Sequence, residues 1–204
     1  MEIYHQHRPS QVGQVVSDVA GRILSEVRTL LLQWTAAEAV AASNNGVHAA
    51  VQDNGALQTI STGIGALPCP RNIRAVPGGT AGDIKAVSIT VYGKRNGVSI
   101  SEVLPAFTAD STNAVEGNKI FDSVDYYTQP AMDGTGATVS LGWGEKLGLP
   151  LKLERNTVLM AFKGDTREGT APTVAVSATA LESNSVDLNS ALDGNKVEVY
   201  LVAP

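Results

Sequence analysis

The fold turns on the stretch Ser88-Ile89-Thr90-Val91-Tyr92-Gly93-Lys94-Arg95-Asn96-Gly97-Val98-Ser99-Ile100-Ser101-Glu102-Val103-Leu104. Polar and apolar side chains alternate on both flanks, the period of a strand with one buried face, and Asn96-Gly97 between them is a turn signal. The stretch predicts an antiparallel hairpin.

Working outward, the same alternation returns in residues 73–76, 119–127, 137–143, 157–163, 173–180 and 197–202. Turn-forming clusters punctuate these segments: Pro77-Gly78-Gly79, Asp133-Gly134-Thr135-Gly136, Lys163-Gly164-Asp165 and Leu192-Asp193-Gly194-Asn195. Short strands with frequent turns and no helical pattern between them predict a mainly β protein, an antiparallel β sandwich of jelly-roll or immunoglobulin-like connectivity. The two connectivities are not separable from one sequence.

Before residue 47 the period changes. Val16, Ala20, Ile23, Val27, Leu30, Trp34, Ala37 and Ala41 recur in alternating steps of four and three, which predicts a long N-terminal α-helix over about residues 10–42 with a heptad seam. Pro9-Ser10 supplies a start, and Ser43-Asn44-Asn45-Gly46 a stop, since Asn and Gly accept the left-handed conformation that ends helices. The seam has two readings, a helix lying along its own β domain or one packing against copies of itself or a partner. The chain thus divides into a tail and attachment or oligomerisation helix, residues 1–46, and a β-sandwich domain, residues 47–204.

Composition narrows the function. The 204 residues carry a net charge of -5 and only 17% charged residues, with 20 glycines; a globular domain usually has about 25% charged. The balance is opposite to that of a nucleic-acid groove. No stretch approaches the ~18 apolar residues of a membrane span, and the start lacks the basic-then-apolar pattern of a signal peptide. No nucleic-acid or membrane partner and no export are expected. Outward strand positions are often Ser, Thr, Ala or Asn, as in Thr173-Val174-Ala175-Val176-Ser177-Ala178-Thr179-Ala180. An isolated domain protects such surfaces with charge, so this one is expected to be covered by other protein.

Residues able to do chemistry are sparse. Cys69, the single cysteine, can form no internal disulfide and reads as a small buried apolar residue. His5 and His7 are a pair without a third ligand in sequence reach, and His48 reads as a surface or packing residue. The carboxylates are scattered, and a sugar cleft would need more aromatic platforms than are available. Asp133-Gly134-Thr135-Gly136 and Asp193-Gly194-Asn195 lack the ligand spacing of calcium loops and read as turns. Gly142-Trp143-Gly144-Glu145-Lys146-Leu147-Gly148 lacks the order of a phosphate loop and reads as a strand end with a tight turn. There is no nucleophile elbow. No enzymatic activity, cofactor or metal is expected.

One resemblance adds to this. Pro70-Arg71-Asn72-Ile73, Gly78-Gly79-Thr80-Ala81-Gly82-Asp83-Ile84, Ile89-Thr90-Val91-Tyr92-Gly93 and Ser101-Glu102-Val103-Leu104-Pro105-Ala106-Phe107 follow one another in order. Then come Gly117-Asn118-Lys119-Ile120-Phe121, the run from Gly142 through Gly148 to Leu149-Pro150, Ala171-Pro172-Thr173-Val174, and Ala180-Leu181-Glu182-Ser183-Asn184-Ser185-Val186-Asp187-Leu188. Their order, over about residues 68–203, resembles a domain in structural proteins of tailed-bacteriophage virions, of the capsid decoration, auxiliary or head-fibre type. The resemblance implies a non-catalytic protein present in many copies, often as trimers, on a shell built in the host cytoplasm. Its expected partners are the major capsid protein and itself, and its expected location is the capsid surface. The alternative is an outward-facing head-fibre or tail component that binds host-surface glycan. The expected interface is the seam Val16, Ile23, Val27, Leu30 and Trp34, with Tyr4, His5, His7 and Arg8 as a clamp ordered on binding.

Overall fold

The computed structural model describes residues 28–203. Fourteen strands follow in chain order among them: β1 (Arg28–Trp34), β2 (Ser43–Gln52), β3 (Gln58–Ile60), β4 (Arg71–Gly79), β5 (Thr90–Arg95), β6 (Val98–Val103) and β7 (Val115–Phe121), then β8 (Ser123–Gln129), β9 (Ala137–Gly148), β10 (Val158–Lys163), β11 (Thr166–Arg167), β12 (Thr173–Ala175), β13 (Ser185–Asp187) and β14 (Val197–Ala203). All pairings are antiparallel. Three sheets result. A central six-stranded sheet has the order β12-β13-β9-β4-β7, with β2 also on β9; a hairpin sheet runs β3-β8-β5-β6; a terminal sheet runs β1-β14-β10-β11.

The predicted hairpin is β5–β6. Arg95 pairs with Val98, so the turn is the two residues Asn96 and Gly97, whose φ angles are 49° and 76°. Two consecutive positive angles match the right-handed twist of the flanking strands, which is why Asn-Gly is favoured there.

One face of the central sheet serves two cores. Ile73 and Ala75 of β4 and Val139 and Leu141 of β9 pack with Val91, Val124 and Tyr127 of the hairpin sheet, sealed by Ile84, Leu104 and Phe107. Further along β9, Leu147 joins Val186, Leu149 and Leu153 against Trp34, Val197, Val199 and Ala161 of the terminal sheet. Val139, Leu141 and Leu147 are all odd-numbered, as the alternation of a strand requires. Close approach sets the glycine at 142: a Cβ there would lie 1.8 Å from the Ser43 carbonyl oxygen of β2. Mainly antiparallel β architecture is therefore as expected from the alternation.

Several finer expectations change. Residues 28–34 are strand and 35–42 turn and irregular chain, so the long helix does not extend over residues 28–42; its stretch from 10 to 27 lies outside the described residues. Leu30 and Trp34 are four apart, a spacing that a helix and a strand both place on one face. The seven-residue ladder from Arg28–Ala203 to Trp34–Val197 decides for strand. The expected helix stop at Ser43 opens β2, and β1 and the start of β2 place part of residues 1–46 within the sheets. Residues 119–127 form two strands rather than one: β7 pairs β4 in the central sheet and β8 pairs β5 in the hairpin sheet, so the chain changes sheet at Asp122. The run from Gly142 to Gly148 is the C-terminal part of β9, with no tight turn inside it.

Candidate interaction surfaces

Arg71 shows how the terminal sheet is joined to the rest. Its side chain is fully buried, and its guanidinium donates to the Gly144 carbonyl (Nε, 2.9 Å) and to the carbonyls of Glu38 and Val40 (3.2 Å each). Burial lowers its pKa, with Cys69 opposing. Three carbonyls that the turn after β1 and β9 cannot satisfy by ladder bonds are satisfied by one planar fork of donors. Cys69 is buried beside it, and burial pushes its thiol up to about 11 against the pull of Arg71. At neutral pH that sulfur is an unreactive thiol.

A cleft of about 440 Å³ opens next to this junction. Leu32, Gln33 and Trp34 line one side, and Pro70, Pro150 and Leu181 the other. Consecutive strand residues point to opposite faces, so these three meet the cleft through the backbone edge of β1. That edge has no strand partner among the described residues, since β1 pairs only β14. The floor is Arg95, which donates to the Asp122 carboxylate and to the Leu149 carbonyl (2.7 Å). Asp122 also accepts from the Asn96 N–H of the hairpin turn. The pair cancels its own charge, while Arg95 Nε stays buried without a partner among the described residues. The chemistry offered is a largely apolar slot whose lining includes the Arg95–Asp122 ion pair and which has a strand edge along its side.

The outer face of the terminal sheet is the second surface. Register places Leu31 beside Tyr200 and Tyr200 beside Met160, with Gln33, Glu198 and Phe162 in the next row and Thr29 beside Val202. The Phe162 and Tyr200 rings meet edge to face, centroids 5.9 Å apart at 71°. Leu31 is 44% exposed, and Leu159, at the irregularity between Val158 and Met160, is 53% exposed.

Two polar regions complete the surface. Lys146 Nζ donates to Asn118 Oδ1 (2.6 Å), and Lys119 Nζ to the Ser101 carbonyl (2.9 Å), around a cleft that also holds Asp187. Burial raises the pKa of Asp187 and of Glu102, whose carboxylate accepts from the N–H groups of Asn118 and Lys119. On the hairpin sheet, Tyr92 and Tyr126 stack with centroids 4.4 Å apart at 11°, in a field of Thr90, Thr128 and Ser101 placed by register.

Of the interface residues expected from the sequence, Tyr4, His5, His7, Arg8, Val16, Ile23 and Val27 lie outside the described residues. Leu30 and Trp34 fall in β1 on the face directed at the core, beside Leu201 and Val197. Trp34 is spent on the second core, not on a helical seam. His48 packs edge to face on Tyr127, centroids 5.8 Å apart. Asp133-Gly134-Thr135-Gly136 and Asp193-Gly194-Asn195 are turns, the latter with Asn195 N–H donating to Asp193. Sequence reasoning missed Arg95 with Asp122, and Leu31 with Tyr200. No local signal marked the latter pair, because Leu30, Leu31 and Leu32 run together and only the pairing with β14 makes residues 28–34 a strand. Among the described residues no three His, Cys, Asp or Glu side chains group as metal ligands, and no helix is long and apolar enough to cross a membrane. Comparison with family models, with curated proteins and with solved structures finds no match.

Proposed function

We propose that this protein is a non-catalytic structural component of a tailed-phage virion that decorates the capsid surface by contact with the major capsid protein. The observation that carries the reading is the largely apolar cleft beside an edge of β1 that has no strand partner among the described residues, since a strand edge next to apolar walls suits protein contact better than a polar substrate. The ordered segments over residues 68–203 and the low charge support it. The central and hairpin sheets, face to face, fit a β sandwich of the jelly-roll or immunoglobulin-like class. Binding to shells would add interface free energy to the mature lattice in the host cytoplasm.

The test is sedimentation of purified protein with empty expanded shells of the phage that encodes it. Saturable binding, weakened by Pro150→Arg at the mouth of the cleft, is expected; no binding to shells overturns the reading. A second reading, glycan binding by an outward-facing head-fibre or tail component, is favoured by the stacked Tyr92 and Tyr126 among hydroxyls. It predicts retention on host cell-wall polysaccharide that is lost in Tyr126→Ala.

A further inference from the structure

We propose that the cleft formed by β7, β9, β12 and β13 binds an acidic saccharide unit, a sugar ring carrying one carboxylate, through the ammonium groups of Lys119 and Lys146 and the oxygens of Asp187 and Ser185. At about 370 Å³ the cleft is of the size of small-molecule sites. Its cations are uncommitted. Lys85, Lys163 and Lys196 each pair with a carboxylate, at 3.2, 3.1 and 2.9 Å. Lys119 and Lys146 rest on neutral oxygens instead: Lys119 Nζ donates to the Ser101 carbonyl (2.9 Å), and Lys146 Nζ to Asn118 Oδ1 (2.6 Å) and the Gly117 carbonyl (3.3 Å). An ammonium has three donors, so each lysine keeps at least one without an acceptor among the described residues. The Glu102 carboxylate feels both charges but turns its oxygens to the N–H groups of Asn118 and Lys119.

Open acceptors stand beside these donors. Asp187 lies one step beyond the Val186–Leu147 pair of the β13–β9 ladder, across from Lys146, yet it makes no side-chain hydrogen bond or ion pair among the described residues. Ser185, two residues away on the same face of β13, is 3% exposed, and its hydroxyl has no partner among the described residues. A buried hydroxyl calls for a partner, and here only the contents of the cleft can supply one. The groups together suit a ligand that carries an anion and hydroxyl donors side by side. The carboxylate of a peptide side chain would satisfy the lysines but leave Asp187 facing a second negative charge. A sugar acid supplies both, its carboxylate to the lysines and its ring hydroxyls to Asp187 and Ser185. Its C–H face meets Ala175 and Val176, the latter 37% exposed. Hydrogen bonds with one charged partner are the strong ones. The site shares no residue with the Tyr92–Tyr126 stack, and the inference is independent of shell binding.

Calorimetric titration of the full chain with glucuronate and with galacturonate, over roughly 0.05 to 10 mM, tests it. Saturable one-to-one binding of at least one acid is expected, at least about tenfold tighter than that of glucose or galactose. Lys119→Gln and Asp187→Ala should each weaken it at least about fivefold, with melting temperatures close to wild type as the check that both fold. Tyr126→Ala should leave it unchanged. No saturation by either acid overturns the inference. Acetate or inorganic phosphate binding as tightly as the sugar acid, or an affinity indifferent to Asp187→Ala, overturns it equally and means that the cleft takes any anion.

Discussion

Leu141 and Leu31 are both leucines on paired strands, and they meet opposite conditions. Leu141, on β9 between the central and hairpin sheets, is completely buried, whereas Leu31, on β1, is 44% exposed. The first region is closed: two sheets face one another and loops seal the rim. Among the described residues the terminal sheet is covered on one side, where Trp34, Val197 and Val199 meet the body. Its other side keeps the apolar row Leu31–Tyr200–Met160, with charge only beside it, in the Lys196–Glu198 pair and Arg167. The contrast teaches that the apolar content of this chain has two uses, one for its own stability and one held at the surface.

The strongest way to break this contrast is at the join between the regions. Arg71→Met removes the fork that satisfies the carbonyls of Gly144, Glu38 and Val40, at a cost of about 5 kcal/mol if each stranded acceptor costs about 1–3 kcal/mol. Urea unfolding should show it. An effect below about 1 kcal/mol would mean that the terminal sheet does not depend on the buried guanidinium.

The next test compares the leucines themselves. Leu141→Ala should cost about 2–5 kcal/mol because it leaves a cavity between two sheets, while Leu31→Ala should stay within about 0.5 kcal/mol for the monomer. Equal losses at dilute concentration would show that something covers Leu31, and the contrast would fail.

The smallest expected effect is a pH slope. Burial raises the folded pKa of Glu102 above its ordinary value, and Asp187 behaves alike. The native protein then holds a proton that the unfolded chain has released, so stability falls as pH rises from about 4 through the folded pKa values. Glu102→Gln should flatten that slope in urea melts at several pH values. An unchanged slope would leave Asp187 or another carboxylate as its source.

How much of this was legible from the sequence follows from which forces were local. The β5–β6 hairpin was, because an Asn-Gly turn and two alternating flanks lie within one short stretch. β1 was not, because Leu30 and Trp34 satisfy both periods and only β14, at the far end of the chain, chooses between them. The break at Asp122 was hidden for the same reason: Arg95 and Asn96, which hold that carboxylate, come from the hairpin turn. Buried Arg71 was readable only as part of a resembling segment, since a charged residue in a core has no periodic signature. Of the interface residues, the seam was chosen on helical spacing, and its described members turned inward once the backbone became extended.

The ladder from Arg28–Ala203 to Trp34–Val197 has a consequence for how the molecule comes into being. β1 precedes, and β14 follows, every other described strand, so the terminal sheet cannot close until β14 has been synthesised. The β5–β6 hairpin can form as soon as its own residues emerge, while β1 waits through the synthesis of almost the whole domain with its leucines uncovered. Long-range pairing of this kind slows folding and prolongs exposure of sticky strands. Joining Ala203 to Arg28 by a short linker and opening the chain at an exposed loop would turn this long-range pairing into a local one.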